Sequence, residues 1–130
     1  MDIWEEVSLW NKYIAYEIGV KSYFGRPAND LFFKIENCEN PGWWVKIDLS
    51  KTPFENCSLE PVTHNVNEEH WQESREDWLD CSVKNKVFNG AGDPDKLKII
   101  LEIFFKWIRA NGYNYQYKGL PPDLPELPNL

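Results

Sequence analysis

From Ile3 to Ile18 the apolar residues Ile3, Val7, Trp10, Ile14 and Ile18 recur every three or four positions, which places them on one stripe of a helix. Asp2, Glu5 and Glu6 stand where carboxylates complement the free N–H groups of a first turn. Gly19 offers a C-terminal stop, so the helix is expected to end near Glu17. The period then shortens to two. After a loop at Gly25–Asp30, Leu31, Phe33 and Ile35 alternate with Phe32, Lys34 and Glu36. Beyond the turn signal Asn40-Pro41-Gly42, Trp43, Val45, Ile47 and Leu49 alternate with Trp44, Lys46 and Asp48. These two strands form a hairpin with one buried side.

Pro53, Asn56 and Ser58 break the next stretch into a loop, and Leu59 to Val66 is a candidate third strand. The polar segment Asn67–Glu76, with only Trp71 to anchor it, reads as a mobile surface loop. Leu79, Cys81 and Val83 alternate with Trp78, Asp80 and Ser82 in a further strand, and Asn85-Lys86 can turn it into a short one at Val87–Asn89. Gly90-Ala91-Gly92-Asp93-Pro94 reads as a boundary, with flexible glycines, Asp93 as helix N-cap and Pro94 at the first helical position. In the helix that follows, Leu97, Ile100, Leu101, Phe104 and Ile108 make a central stripe flanked by Ile103, Phe105 and Trp107. Its polar strip, Lys98, Glu102, Lys106 and Arg109, is narrow, so the helix is deeply buried or has a partner on one flank. The sum is an α+β domain: an antiparallel meander of four to five strands flanked by an N-terminal and a C-terminal helix, the helices covering one sheet face.

The 130 residues suit one domain, placed at residues 1–112, and no internal repeat is found. Residues 113–130 form an extension in which Tyr113, Tyr115 and Tyr117 alternate with polar residues before LPPDLPELPNL, whose prolines forbid helix and favour polyproline II. With 21 acidic against 14 basic side chains the net charge is −7, which disfavours nucleic acid as a ligand and favours a basic protein partner. Three cysteines without a C-x-x-C pair imply neither a disulfide framework nor a zinc site. The N-terminus lacks a basic and an apolar region, and no run approaches membrane-span length, so a cytoplasmic protein is expected.

No constellation compels an enzyme. His64 and His70 lack metal-site spacing and read as solvated surface residues, and Gly90-Ala91-Gly92 lacks the lysine of a phosphate loop. Cys81 falls on an apolar face as a small hydrophobe, and Cys38 is flanked by Glu36 and Glu39, which oppose thiolate formation. Asp48, Asp77 and Asp80 make an acid–base pair only if their strands bring them together. Trp44 and Trp78, on the polar sides of their strands, call for either a second cover or a partner.

The order ENPGWWVKIDL, EDWLDCSV, FNGAGDPDKL and IILEIFFKWI resembles the immunity protein 53 family of bacterial polymorphic toxin systems. The residues carrying the resemblance are Asn40, Pro41, Gly42, Trp43, Lys46, Asp48, Asp77, Trp78, Gly90, Gly92, Asp93, Pro94 and Trp107. The resemblance covers about Ile3 to Ile108 and leaves out the extension and the acidic loop around Trp71. It implies a small cytoplasmic protein that binds and neutralises a cognate secreted toxin. The resulting expectation is an inhibitor, monomeric when free, that needs no metal or cofactor and occludes the active site of a basic toxin. The residues assigned to that contact are Trp44, Lys46, Asp48, Trp71, Asp77, Trp78 and Asp80. The alternative is a small enzyme or ligand-binding domain using carboxylates around Trp44.

Overall fold

Five antiparallel strands form one sheet in the computed structural model, which describes residues 1–19, 33–39, 41–69 and 71–116. The strands are β1 Phe33–Cys38, β2 Gly42–Asp48, β3 Val62–His64, β4 Leu79–Lys84 and β5 Val87–Gly92; the helices are α1 Ile3–Lys12 and α2 Leu97–Ala110. The loop expected at Gly25–Asp30, the strand positions Leu31 and Phe32, Asn40, His70, Tyr117 and the proline-rich segment lie outside the described residues.

The strand order is β1-β2-β5-β4-β3, so the hairpin β1–β2 and the ribbon β3–β4–β5 join along β2 and β5. Asn85 and Lys86 both have positive φ, 54° and 66°, the pairing of a type I′ turn whose twist matches the strands it joins. The loop after β2 carries the chain to the far edge, where β3 occupies only three residues of the expected Leu59–Val66 strand. Along β2 the expected alternation holds. Val45, Ile47 and Leu49 are fully buried, while Trp44 stays exposed.

Gly90-Ala91-Gly92 is not a flexible boundary but the second half of β5, at the centre of the sheet. A Cβ on Gly90 would lie 2.3 Å from Ile100 Cγ2, and one on Gly92 would lie 2.6 Å from Lys96 Cβ. The glycines leave room for Ile100 of α2 and for Lys96 at its N-cap to pack directly on β5. Helix α2 starts four residues later than Asp93, and the N-cap position belongs to Lys96 without any side-chain cap. Asp93 instead closes the preceding turn: its carbonyl accepts from Lys96 N at 3.0 Å and its Oδ1 from Asp95 N at 2.8 Å. Asx turns of this kind mimic a backbone turn. Asp2 does cap α1, its Oδ1 accepting from Glu5 N at 2.8 Å. The helical backbone then widens into a π-helical segment, Tyr13–Gly19.

Both helices stack on one sheet face. The wide apolar arc of α2 is spent on burial, with Ile100, Leu101, Phe104, Phe105, Trp107 and Ile108 all inside. Trp10 of α1 meets Phe104 edge-on at 5.1 Å between centroids, and Phe88 meets it at 5.1 Å from the sheet side. Arg109 pairs with Glu6 across the two helices, and Trp107 Nε1 donates to Ser58 O at 2.9 Å, pinning the loop before β3. Tyr113, the first residue of the expected extension, packs into this core against Trp10 and Tyr13 at 5.3 and 5.2 Å. Among the described residues no helix is long and apolar enough to cross a membrane.

The close crossing of α2 over β5 is testable. Gly90→Ala is expected to destabilise the domain by about 2 kcal/mol, as overpacked cores do. A chemical-denaturation midpoint equal to the parent's would show that the crossing tolerates a Cβ.

Candidate functional site

Strand register sorts the expected site residues before any chemistry is considered. On the sheet face opposite the helices, Glu36, Trp44, Ala91, Asp80 and Thr63 make one row, Lys34, Lys46, Asn89 and Ser82 the next, and Asp48, Val87 and Lys84 a third. Trp44, Lys46, Asp48 and Asp80 therefore share a face. Trp44 is 43% exposed, and Lys46 Nζ lies 4.3 Å from its ring centroid, a cation–π arrangement that fixes the indole from above. Lys34 and Glu36 pair at 2.7 Å beside them. With Lys34, Lys46 and Lys84 balancing Glu36, Asp48 and Asp80, the face carries no net charge.

The three carboxylates that an acid–base mechanism would need are kept apart. Asp48 and Asp80 face β5 four residues apart, at Val87 and Ala91, or about 13 Å along the strand. Asp48 Oδ1 is engaged locally, accepting from Ser50 N at 2.8 Å. Asp77 stands beyond the end of the strands, in a different network. The Cys81 thiol, fully buried, is pushed up to about 12 by desolvation with Asp80 adding to it, so it is a packing group. Cys38 and Cys57 are half-buried and free. Among the described residues no group of three or more His, Cys, Asp or Glu side chains is placed to hold a metal ion.

At the end of the sheet a chain of polar contacts runs inward. His64 Nε2 meets Asp77 Oδ2 at 2.9 Å, Lys96 Nζ donates to Asp77 Oδ1 at 2.8 Å and to Asp93 Oδ2 at 2.6 Å, and Trp78 N donates to Asp93 Oδ2 at 2.9 Å. Asp93 is fully buried, and burial opposes its charge, but Lys96 and the N–H groups of Asp95 and Trp78 together hold its carboxyl below the ordinary value. Lys96, then His64, likewise hold the exposed Asp77 low, and the two carboxylates hold the Lys96 ammonium above its usual range. The chain of contacts ties the end of β3, the start of β4 and the turn before α2 together. Sequence reasoning took His64 for a solvated residue and passed over Lys96. The spacing of Asp93 and Lys96, one turn apart, was the signal available.

Trp78 is corrected by this geometry. Its alternation does place it on the face of Trp44, but it is only 5% exposed, packed so close to Gly42 that a Cβ there would lie 3.2 Å from its Cζ2. Its ring is buried among packed neighbours rather than displayed as Trp44 is. Trp43, half-buried, donates from Nε1 to Pro94 O at 2.9 Å and ties β2 to the turn before α2.

The segment expected as a loose loop is a small hairpin. Val66 and Gln72 pair, Asn67 N donates to Trp71 O at 2.9 Å, and Glu73 N donates to Asn65 O at 2.7 Å. Asn67 Oδ1 accepts from the N–H of Glu69 and of Trp71 at 2.9 and 3.0 Å, fixing the tip, while Asn65 Nδ2 donates to Asp77 O at 2.8 Å and fixes the base. Trp71 is 67% exposed on this scaffold. Glu68, Glu69, Glu73, Glu76 and Asp77 against Arg75 give residues 66–77 a charge of −4 out of the chain's −7. Trp71, Gln72 and Arg75 close a recess of about 290 Å³ with Glu39 and Pro41 of the β1–β2 turn.

Fold and surface thus define a small α+β domain that exposes indoles, Trp44 on the open sheet face and Trp71 on the hairpin. The chain belongs to the Immunity protein 53 family, whose model matches residues 28–109. The family name implies an immunity protein acting against a toxin. No curated protein and no solved structure matches the chain.

The buried carboxylate yields a prediction with a pH signature. Asp93→Ala strands two main-chain N–H groups and half of the Lys96 pairing, so a loss of about 3 kcal/mol is expected. Ionised Asp93, with its carboxyl held low in the folded chain, stabilises the fold above the unfolded value near 3.9, and that contribution disappears as pH falls through the lower folded value. Asp93→Asn should therefore flatten the acid limb of the stability curve. Parallel acid limbs for parent and variant would assign the acid sensitivity elsewhere.

Proposed function

We propose that this immunity protein binds and neutralises a cognate secreted bacterial toxin in the cytoplasm of the producing cell, occluding the toxin's active site. The contact is carried by the acidic hairpin with Trp71 near its tip, and Trp44, Lys46, Asp48 and Asp80 form a second contact on the open sheet face, which as a whole carries no net charge. The observation that carries this reading is a 67%-exposed tryptophan held on a hydrogen-bonded hairpin within the segment 66–77, which carries −4 of the chain's −7. Aromatic side chains dominate interface energetics, and a hairpin already ordered by Asn65, Asn67 and Asp77 pays little to become ordered on binding. The toxin surface it suits is basic, since opposite potentials steer encounter.

Two measurements with the co-purified product of the neighbouring toxin gene test the reading. Trp71→Ala should melt like the parent yet bind about 2 kcal/mol more weakly, close to thirtyfold, as hot-spot indoles do. Trp44→Ala should cost about 1 kcal/mol or less of stability through the lost cation–π contact, and less binding than Trp71→Ala. The reverse ranking would move the interface to the sheet face. Association should slow as ionic strength rises past the physiological range, where charges more than about 8 Å apart are screened. Rates that do not respond to salt would remove the electrostatic half of the proposal.

A further inference from the structure

Between the Trp71 hairpin and the β1–β2 turn lies the recess of about 290 Å³. Pockets for small molecules begin at roughly 300 Å³, so this one suits a single long side chain better than a cofactor. Its walls come from two elements. Trp71, Gln72 and Arg75 belong to the hairpin, and Glu39 and Pro41 to the turn. Trp71 is 67% exposed, and Glu39 is exposed as well.

Glu39 enters no hydrogen bond or ion pair among the described residues, whereas Asp48, Asp77 and Asp93 are each held by partners of their own. An open carboxylate across a recess from an exposed indole is the pairing that recognises a cation. The ring face attracts it through its quadrupole, and the carboxylate accepts charge-assisted hydrogen bonds from it. The surrounding charge acts in the same direction, since residues 66–77 carry −4. Arg75 is the one lysine or arginine of that segment, and it lines the recess, where it competes with an incoming cation.

We propose, building on the reading that the Trp71 hairpin meets the toxin, that this recess receives a cationic side chain of the toxin. Its head group lies between the Trp71 ring and the Glu39 carboxylate, and Arg75 opposes its entry. General attraction by an acidic hairpin makes a different prediction. A charge at the rim of an interface acts on encounter, whereas one partner of a desolvated pair acts on dissociation.

The test measures association and dissociation rates with the co-purified product of the neighbouring toxin gene. Glu39, Glu69, Trp71 and Arg75 are all exposed, so their variants should melt like the parent. Glu39→Gln should raise the dissociation rate about tenfold and leave association within about twofold. Glu69→Gln removes the same charge outside the recess, and should slow association with little change in dissociation. Arg75→Gln should slow dissociation about threefold. Trp71→Phe, which keeps a ring face, should dissociate more slowly than Trp71→Leu, which has none.

A Glu39→Gln variant that dissociates like the parent overturns the proposal, as does a Glu69→Gln variant that dissociates as fast as Glu39→Gln. Faster dissociation of Arg75→Gln also overturns it, giving the recess to a carboxylate held by Arg75. Equal dissociation of Trp71→Phe and Trp71→Leu overturns the ring contact. Failure of the underlying reading looks different: Trp71→Ala then binds the toxin as tightly as the parent, and the recess assignment falls with it.

Discussion

One buried carboxylate connects everything that this structure places at the end of its sheet. Asp93 follows β5, accepts from the backbone at the start of β4, closes the turn into α2 and receives Lys96. Lys96 then reaches Asp77, and Asp77 reaches His64 at the end of β3. A charge with no solvent exposure is tolerable only when its partners are already in place, so the network enforces the geometry of four segments at once. The acidic hairpin, which has almost no apolar anchor, inherits its orientation from this point through Asp77 and Asn65.

The same end of the sheet depends on absent side chains. Glycines at 90 and 92 let α2 descend onto β5 closely enough for Lys96 to lean over Asp93, and Gly42 leaves room for Trp78 above the β2–β5 pair. Farther along, the helix presents only bulky groups, and Phe104 becomes the centre of an aromatic layer with Trp10, Phe88, Phe105 and Trp107. Small residues thus admit the start of the helix to the strand, and large ones fill the core beyond, as close packing requires.

Local pattern was legible in this sequence and long-range pairing was not. Alternation from Trp43 to Leu49, the arc of α2 and the Asn85-Lys86 turn follow from periods of two and 3.6 and from turn chemistry, and each appears where the pattern put it. The glycines of β5 were misread because their cause is a helix ten residues later, and Asp93-Pro94 has the spelling of a cap whether it closes a helix or a turn. Parity put Trp78 on the right face, but parity does not encode what lies over that face, so its burial was unreadable. His64 and Asp77 lie thirteen residues apart, and nothing local joins them. The hairpin around Trp71 is the case where a signal was passed over: Asn67 and Ser74 are residues whose side chains cap neighbouring N–H groups, and both do so here.

How charge is distributed changes what the net value means. A total of −7 suggests a uniformly acidic surface, yet the open sheet face balances its lysines against its carboxylates and the segment 66–77 alone carries −4. A neutral face with a half-exposed Trp44 contributes contact area without long-range attraction, whereas the hairpin contributes attraction at a distance and one indole on arrival. In the proposed contact, encounter and capture would then be tasks of different surfaces. The hairpin's base is tied to the buried Asp93 through Asp77 and Lys96, which fixes the hairpin relative to the flat face, and the proposed contact would call for a basic cleft with an adjoining flat shoulder on the toxin. Selectivity for one toxin among many basic proteins would come from that arrangement, since charge alone does not discriminate among them.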